Sequence, residues 1–66
     1  MQIMVNDQAM EVPDGCTVAD LLIRLALPST RAAVEVDRQL VRRADHAGRI
    51  LAAGAVVEVV TLVGGG

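Results

Sequence analysis

Hydrophobic and polar positions alternate from the start of the chain, with Met1, Ile3 and Val5 in one phase and Gln2, Met4 and Asn6 in the other. A period of two predicts a strand over 1–5 with one buried face. Asn6-Asp7 tolerates the left-handed backbone that a tight hairpin requires, so the chain turns there. The return strand is predicted over 9–12, with Met10 and Val12 inward. Pro13 has no amide to give to a ladder, which makes this an edge strand ending at a Pro13-Asp14-Gly15 turn.

The period then lengthens. Val18, Leu21, Leu22 and Leu25 fall at i, i+3, i+4 and i+7, the apolar stripe of a helix that covers the core. Thr17 and Asp20 predict a capping box at its start. Asp20 and Arg24, four residues apart, predict a weak surface ion pair, and Pro28 predicts the helix end by pushing Leu27 out of helical geometry. Alternation returns at Ala32: Val34 and Val36 point inward, Glu35 and Asp37 outward. A turn through Asp37-Arg38-Gln39 leads to a short strand over 40–42. Residues 43–48 are polar and predict a loop with one helical turn, anchored to the core by Ile50 and Leu51. Gly54 marks the turn into 55–62, a valine-rich run in which only Glu58 is charged. Such a run predicts a central strand, with Val57 and Val59 toward the helix and Val56, Glu58, Val60 and Leu62 on the other side.

Strand, strand, helix, strand, strand, strand is an α+β order, a mixed sheet of about five strands with one main helix on one face. The first and last strands are expected side by side at the sheet centre. Residues 1–62 form this domain and 63–66 a glycine tail. With a single helix, the opposite sheet face lacks a cover, and Met4, Val56, Val60, Leu62 and Val63 are expected to form an apolar patch there. A contiguous patch on a small protein marks a partner.

Composition narrows the function. The 66 residues are 53% apolar yet contain no Phe, Tyr or Trp, so no aromatic platform for stacking bases exists. The formal net charge is −2 and all six basic residues are arginines, which argues against nucleic acid as a partner. Arg38, Arg42, Arg43 and Arg49 cluster, and are read as a solvated loop region. Without lysine, the N-terminus is the only amine open to an activated acyl group, so side-chain self-acylation is excluded. One Cys cannot form an internal disulfide, and one His with one Cys cannot build a metal site. The opening residues carry no signal-peptide pattern, and the apolar runs fall short of the ~20 residues that span a bilayer. A cytoplasmic protein with no membrane partner is expected.

Little else offers chemistry. Cys16 precedes the Thr17 cap, the place of a hydrophobic staple, and is read as a small buried hydrophobe rather than a reactive thiolate. His46 sits in a polar loop beside Asp45 and is read as surface decoration, and the carboxylates are scattered singly. Gly64-Gly65-Gly66 is no phosphate loop, because no helix follows to present its amides. Glycine does give the slimmest backbone, and residues 63–66 fully extended reach roughly 13 Å, enough to enter a partner's narrow cleft. The opposing reading is an inert, tolerant chain terminus.

A resemblance favours delivery of the terminal carboxylate. Met1-Gln2-Ile3 with Asn6-Asp7-Gln8-Ala9-Met10, the Thr17-Val18 to Leu21-Leu22 helix start, the Val34 to Val41 hairpin, Gly54 and the Gly65-Gly66 end together resemble the ubiquitin-like β-grasp sulfur carriers, the ThiS family in particular. The similarity covers essentially the whole chain. Gly64 departs from it, since many relatives carry another small residue there, and so takes a supporting role. The resemblance implies a carrier acted on by partner enzymes, with no bound cofactor of its own. An E1-like adenylyltransferase, using ATP and magnesium, activates the Gly66 carboxylate as an acyl-adenylate. Sulfur drawn from cysteine through a desulfurase then gives a thiocarboxylate, which thiazole synthase consumes. Rival readings are a carrier for molybdopterin or cysteine synthesis, a protein modifier conjugated to lysines, and a binding module with an inert tail.

Overall fold

The structure, a computed structural model, describes residues 1–62. Its elements are β1 (Gln2–Val5), β2 (Gln8–Glu11), α1 (Val18–Arg24), β3 (Ala32–Val36), β4 (Gln39–Val41) and β5 (Val56–Thr61), with 3-10 turns at Ser29–Arg31 and Arg43–Asp45. The five strands form one sheet in the order β2-β1-β5-β3-β4. β1 and β5 run parallel at the centre, and every other pairing is antiparallel. This is the expected mixed sheet, with β2 at an edge.

Both hairpins close through two residues at positive φ, Asn6-Asp7 (49° and 68°) and Asp37-Arg38 (50° and 68°). Left-handed backbone at both central positions matches the right-handed twist of the flanking strands. The second turn is therefore one residue shorter than the predicted Asp37-Arg38-Gln39: Val36 pairs with Gln39, and β4 begins there rather than at Leu40.

The core fills the space between sheet and helix. Ile3 and Val5 from β1, Val34 and Val36 from β3, and Val57 and Val59 from β5 pack with Val18, Leu21 and Leu22 of α1. Leu25 and Leu27 lie partly buried against the same cluster. At about 1.5–3 kcal/mol for each large aliphatic side chain fully removed from water, this layer is the main source of stability in a chain without aromatics.

Four orphan amides open any helix, and here each has an acceptor. Thr17 N–H donates to Asp20 Oδ2 (3.1 Å) and Asp20 N–H to Thr17 Oγ1 (3.1 Å), the predicted capping box. Val18 and Ala19 donate to the carbonyls of Arg49 (2.9 Å) and His46 (3.0 Å). The loop after β4 is thus tied to the helix start by its backbone.

That tie corrects two expectations. His46 is not surface decoration: it is only 3% exposed, with Nε2 3.2 Å from the Val41 carbonyl. A carbonyl can only accept, so Nε2 carries the proton and donates. Among the described residues Nδ1 has no partner, although it is buried. Ile50 is not a core anchor: it is 63% exposed, forming an isolated bridge with Thr17, while Leu51 alone is buried. Alternation along this extended segment lets one of two adjacent residues face inward.

Two helix expectations also change. No Asp20–Arg24 ion pair forms among the described residues. The Asp20 carboxylate is already committed to the Thr17 amide. The helix stops before Pro28 acts, because Ala26 takes φ 58°, its amide bonds the Ile23 carbonyl (3.0 Å) and the Leu27 amide bonds the Leu22 carbonyl (2.9 Å). Those two bonds make a Schellman motif, with alanine where glycine is usual.

Candidate functional site

The sheet face turned away from α1 gathers the residues singled out as a partner patch. Side chains alternate across a strand, so the register decides which ones meet. Met4 is the cross-strand partner of Ala9 on β2 and of Val56 on β5, and Val60 is the partner of Ala33 on β3. Val56 (45% exposed), Val60 (59%) and Leu62 are open to solvent, and Met4 is half-buried between its neighbours. Met4, Val56 and Val60 therefore share one face, and exposed Leu62 follows directly after the end of β5. Val63 and the tail residues Gly64, Gly65 and Gly66 lie outside the described residues.

Leu40 on β4, exposed and directly across from Glu35, extends the patch to the second sheet edge. Sequence reasoning missed it, although the alternation Leu40-out, Val41-in was available once Val41 was recognised as a core residue.

β5 is the spine of this face, and two turn residues hold it from both sides. The Asn6 side chain accepts from Val59 N–H through Oδ1 (2.8 Å) and donates to the Val59 carbonyl through Nδ2 (3.1 Å). An amide group so placed continues the β1–β5 ladder past the point where the β1 backbone turns away. Asp37 repeats the device on the other side. Its amide donates to the Val56 carbonyl (2.8 Å), and its Oδ1 accepts from Val56 N–H (3.0 Å). At the far end Leu62 N–H bonds the Arg31 carbonyl (2.7 Å), so β5 is held to the last described residue. Asn6 and Asp37 were read from sequence only as turn formers. Their side chains also position the strand, and no local pattern signals a partner 53 residues away in the chain.

The remaining reactive groups lie apart from this face. Cys16 is buried, and its thiol lies within 3.5 Å of the Thr17 carbonyl. Burial pushes its pKa above the ordinary thiol value, the Asp20 charge adds to that, and Arg24 offsets part of it. A buried, protonated thiol is a poor nucleophile. Among the described residues no group of three or more His, Cys, Asp or Glu side chains is placed to hold a metal ion. No helix of the described residues is long and apolar enough to cross a membrane. The outer face instead carries exposed apolar side chains, Val56 and Val60 among them.

Comparisons with known proteins agree with this architecture. The sulfur carrier protein ThiS of Escherichia coli (strain K12) is 36% identical over 66 residues, covering all of both chains. A crystal structure of the thiamine biosynthesis protein (ThiS) from Geobacter metallireducens superposes with a TM-score of 0.84 at 25% identity, again over the full length of both chains. The solution structure of a thiamine biosynthesis protein from the same organism gives 0.80 at 25% identity, covering all of this chain and 88% of that one. The sequence model of the ThiS family matches residues 2–66, and the chain belongs to that family.

Proposed function

We propose that this protein is the sulfur carrier of thiamine biosynthesis, a co-substrate whose Gly66 carboxylate is the reacting group. The observation that supports this best is the family match running through residue 66, joined to an exposed apolar sheet face on β5, the last described strand. A carboxylate is a poor electrophile because its charge is delocalised. Attack of a Gly66 carboxylate oxygen on the α-phosphorus of ATP, catalysed by an E1-like adenylyltransferase with magnesium, releases pyrophosphate and forms an acyl-adenylate. The terminal sulfur of a persulfide, supplied from cysteine by a desulfurase, displaces AMP. A thiol then cleaves the resulting S–S bond, forming a disulfide of its own and leaving the thiocarboxylate. Thiazole synthase takes that sulfur.

The chain's own contribution is presentation. Gly64 and Gly65 keep the approach to Gly66 narrow, and Met4, Val56, Val60, Leu62 and Val63 dock the cytoplasmic enzymes that act on it. No residue of the chain catalyses a step.

Intact-mass spectrometry after incubation with the adenylyltransferase, ATP, magnesium and a cysteine-derived sulfur source tests the reading. The expected product carries one oxygen-for-sulfur exchange, confined to the C-terminal peptide and discharged by thiazole synthase. A terminus left unmodified by enzymes shown to be active would overturn it. Deleting Gly65-Gly66 should abolish the exchange while leaving the fold's thermal transition in place.

A further inference from the structure

Three carboxylates interrupt the outer face: Glu11 on β2, Glu35 on β3 and Glu58 on β5. Glu11 has a cation, the Met1 amine at 3.7 Å. Glu35 and Glu58 have none among the described residues, yet they are direct cross-strand partners. Like charges placed opposite each other destabilise a sheet. Nothing in the strands relieves them, because all six arginines lie outside the five strands: Arg24 in α1, Arg31 and Arg43 in 3-10 turns, Arg38 in a hairpin, Arg42 and Arg49 in loops.

This pair sits amid the apolar surface. Val56 and Val60 flank Glu58 along β5, Ala33 precedes Glu35 along β3, and Leu40 faces Glu35 from β4. A purely apolar partner would strip water from two adjacent carboxylates without compensation, which costs more than the apolar contact returns. A second copy of this chain fits no better. A twofold axis through β5 would bring four carboxylates together with no strand cation between them. The complementary surface is apolar with a single cation at its centre, and the planar fork of a guanidinium can bond two carboxylates at once.

We propose that the enzyme that docks on the outer sheet face places an arginine side chain between Glu35 and Glu58, ringed by apolar contacts to Val56, Val60 and Leu40. This rests on the carrier reading, since it takes the adenylyltransferase as the docking enzyme. The charge pair weakens the free carrier and selects the partner, because surfaces without the cation are rejected.

The test is calorimetric titration of the adenylyltransferase with wild-type carrier, Glu58→Gln, the double variant Glu35→Gln with Glu58→Gln, and Asp7→Asn as a charge control off the face. Each is measured at low and at raised salt, with thermal unfolding recorded in parallel. The double variant is expected to melt at a higher temperature than wild type, yet to bind about tenfold more weakly or worse with a flatter salt dependence. Undiminished binding by the double variant overturns the proposal, as does a lowered melting temperature or an equal loss in Asp7→Asn. The sulfur exchange separates the two levels. If wild type binds and gains sulfur while the double variant binds undiminished, the arginine contact alone is wrong. If wild type neither binds nor gains sulfur, the carrier reading falls and this inference with it.

Discussion

Val57 and Val56 are neighbours on one strand, alike in composition and opposite in purpose. Val57 is fully buried, whereas Val56 is 45% exposed and Val60 is 59% exposed. The inner face of β5 holds the domain together. The outer face leaves apolar surface in water and opposes two glutamates across β3 and β5, an arrangement that does not favour stability. A strand that alternates in this way separates the residues that hold the fold from those it leaves open to solvent.

The sharpest way to test that division is paired truncation. Val57→Ala should cost about 2–3 kcal/mol through lost burial and a partly unfilled cavity, lowering the melting temperature by roughly 10–20 °C for a domain of this size. Val60→Ala should stay within about 0.5 kcal/mol, yet slow sulfur loading at sub-saturating adenylyltransferase. Equal melting-temperature losses would erase the distinction between faces. Next in size is Asn6→Ala, which removes both side-chain bonds to Val59 and puts alanine at a left-handed position. The expected loss is about 2 kcal/mol, seen also as faster hydrogen exchange at the Val59 amide.

Ala26→Gly acts on the helix side and in the opposite direction. Relief of the left-handed alanine at the Schellman position should add about 1 kcal/mol and raise the melting temperature by several degrees, with sulfur loading unchanged. The smallest effect concerns Cys16. Its folded-state pKa is raised above the unfolded value, so its contribution to stability is complete below the ordinary thiol pKa and is lost as pH rises through the folded one. Chemical denaturation across that alkaline window should show a decline that Cys16→Val removes, while Cys16→Val still accepts sulfur.

Elements governed by nearby residues were legible in the sequence. The Thr17 and Asp20 capping box, the Val18, Leu21 and Leu22 stripe and the alternation of β3 and β5 depend on neighbours within a turn or a strand, and each stands as expected. What escaped depends on distant partners. His46 is buried with its ring on the Val41 carbonyl and its own carbonyl bonded by the Ala19 amide, contacts no loop composition encodes. Ile50 and Leu51 are equally apolar, and the pairing of this segment with Cys16 and Thr17 leaves Ile50 outward and Leu51 inward. Ala26 ended the helix ahead of Pro28 because backbone geometry at the helix end overrode propensity. Of the candidate site, the alternation exposed Met4, Val56, Val60 and Leu62. The clamps from Asn6 and Asp37 and the opposition of Glu35 to Glu58 required the strand register.

The parallel pairing of β1 with β5 also governs when the chain can fold. Without β5, the sheet order β2-β1-β5-β3-β4 falls into two separate hairpins, and an isolated hairpin is marginal in water. During synthesis β1 must wait about fifty residues for its central partner, and closing so long a loop precedes the contacts that stabilise it. Folding is thereby delayed until the last strand is made, and a truncated product lacking it stays open to proteolysis.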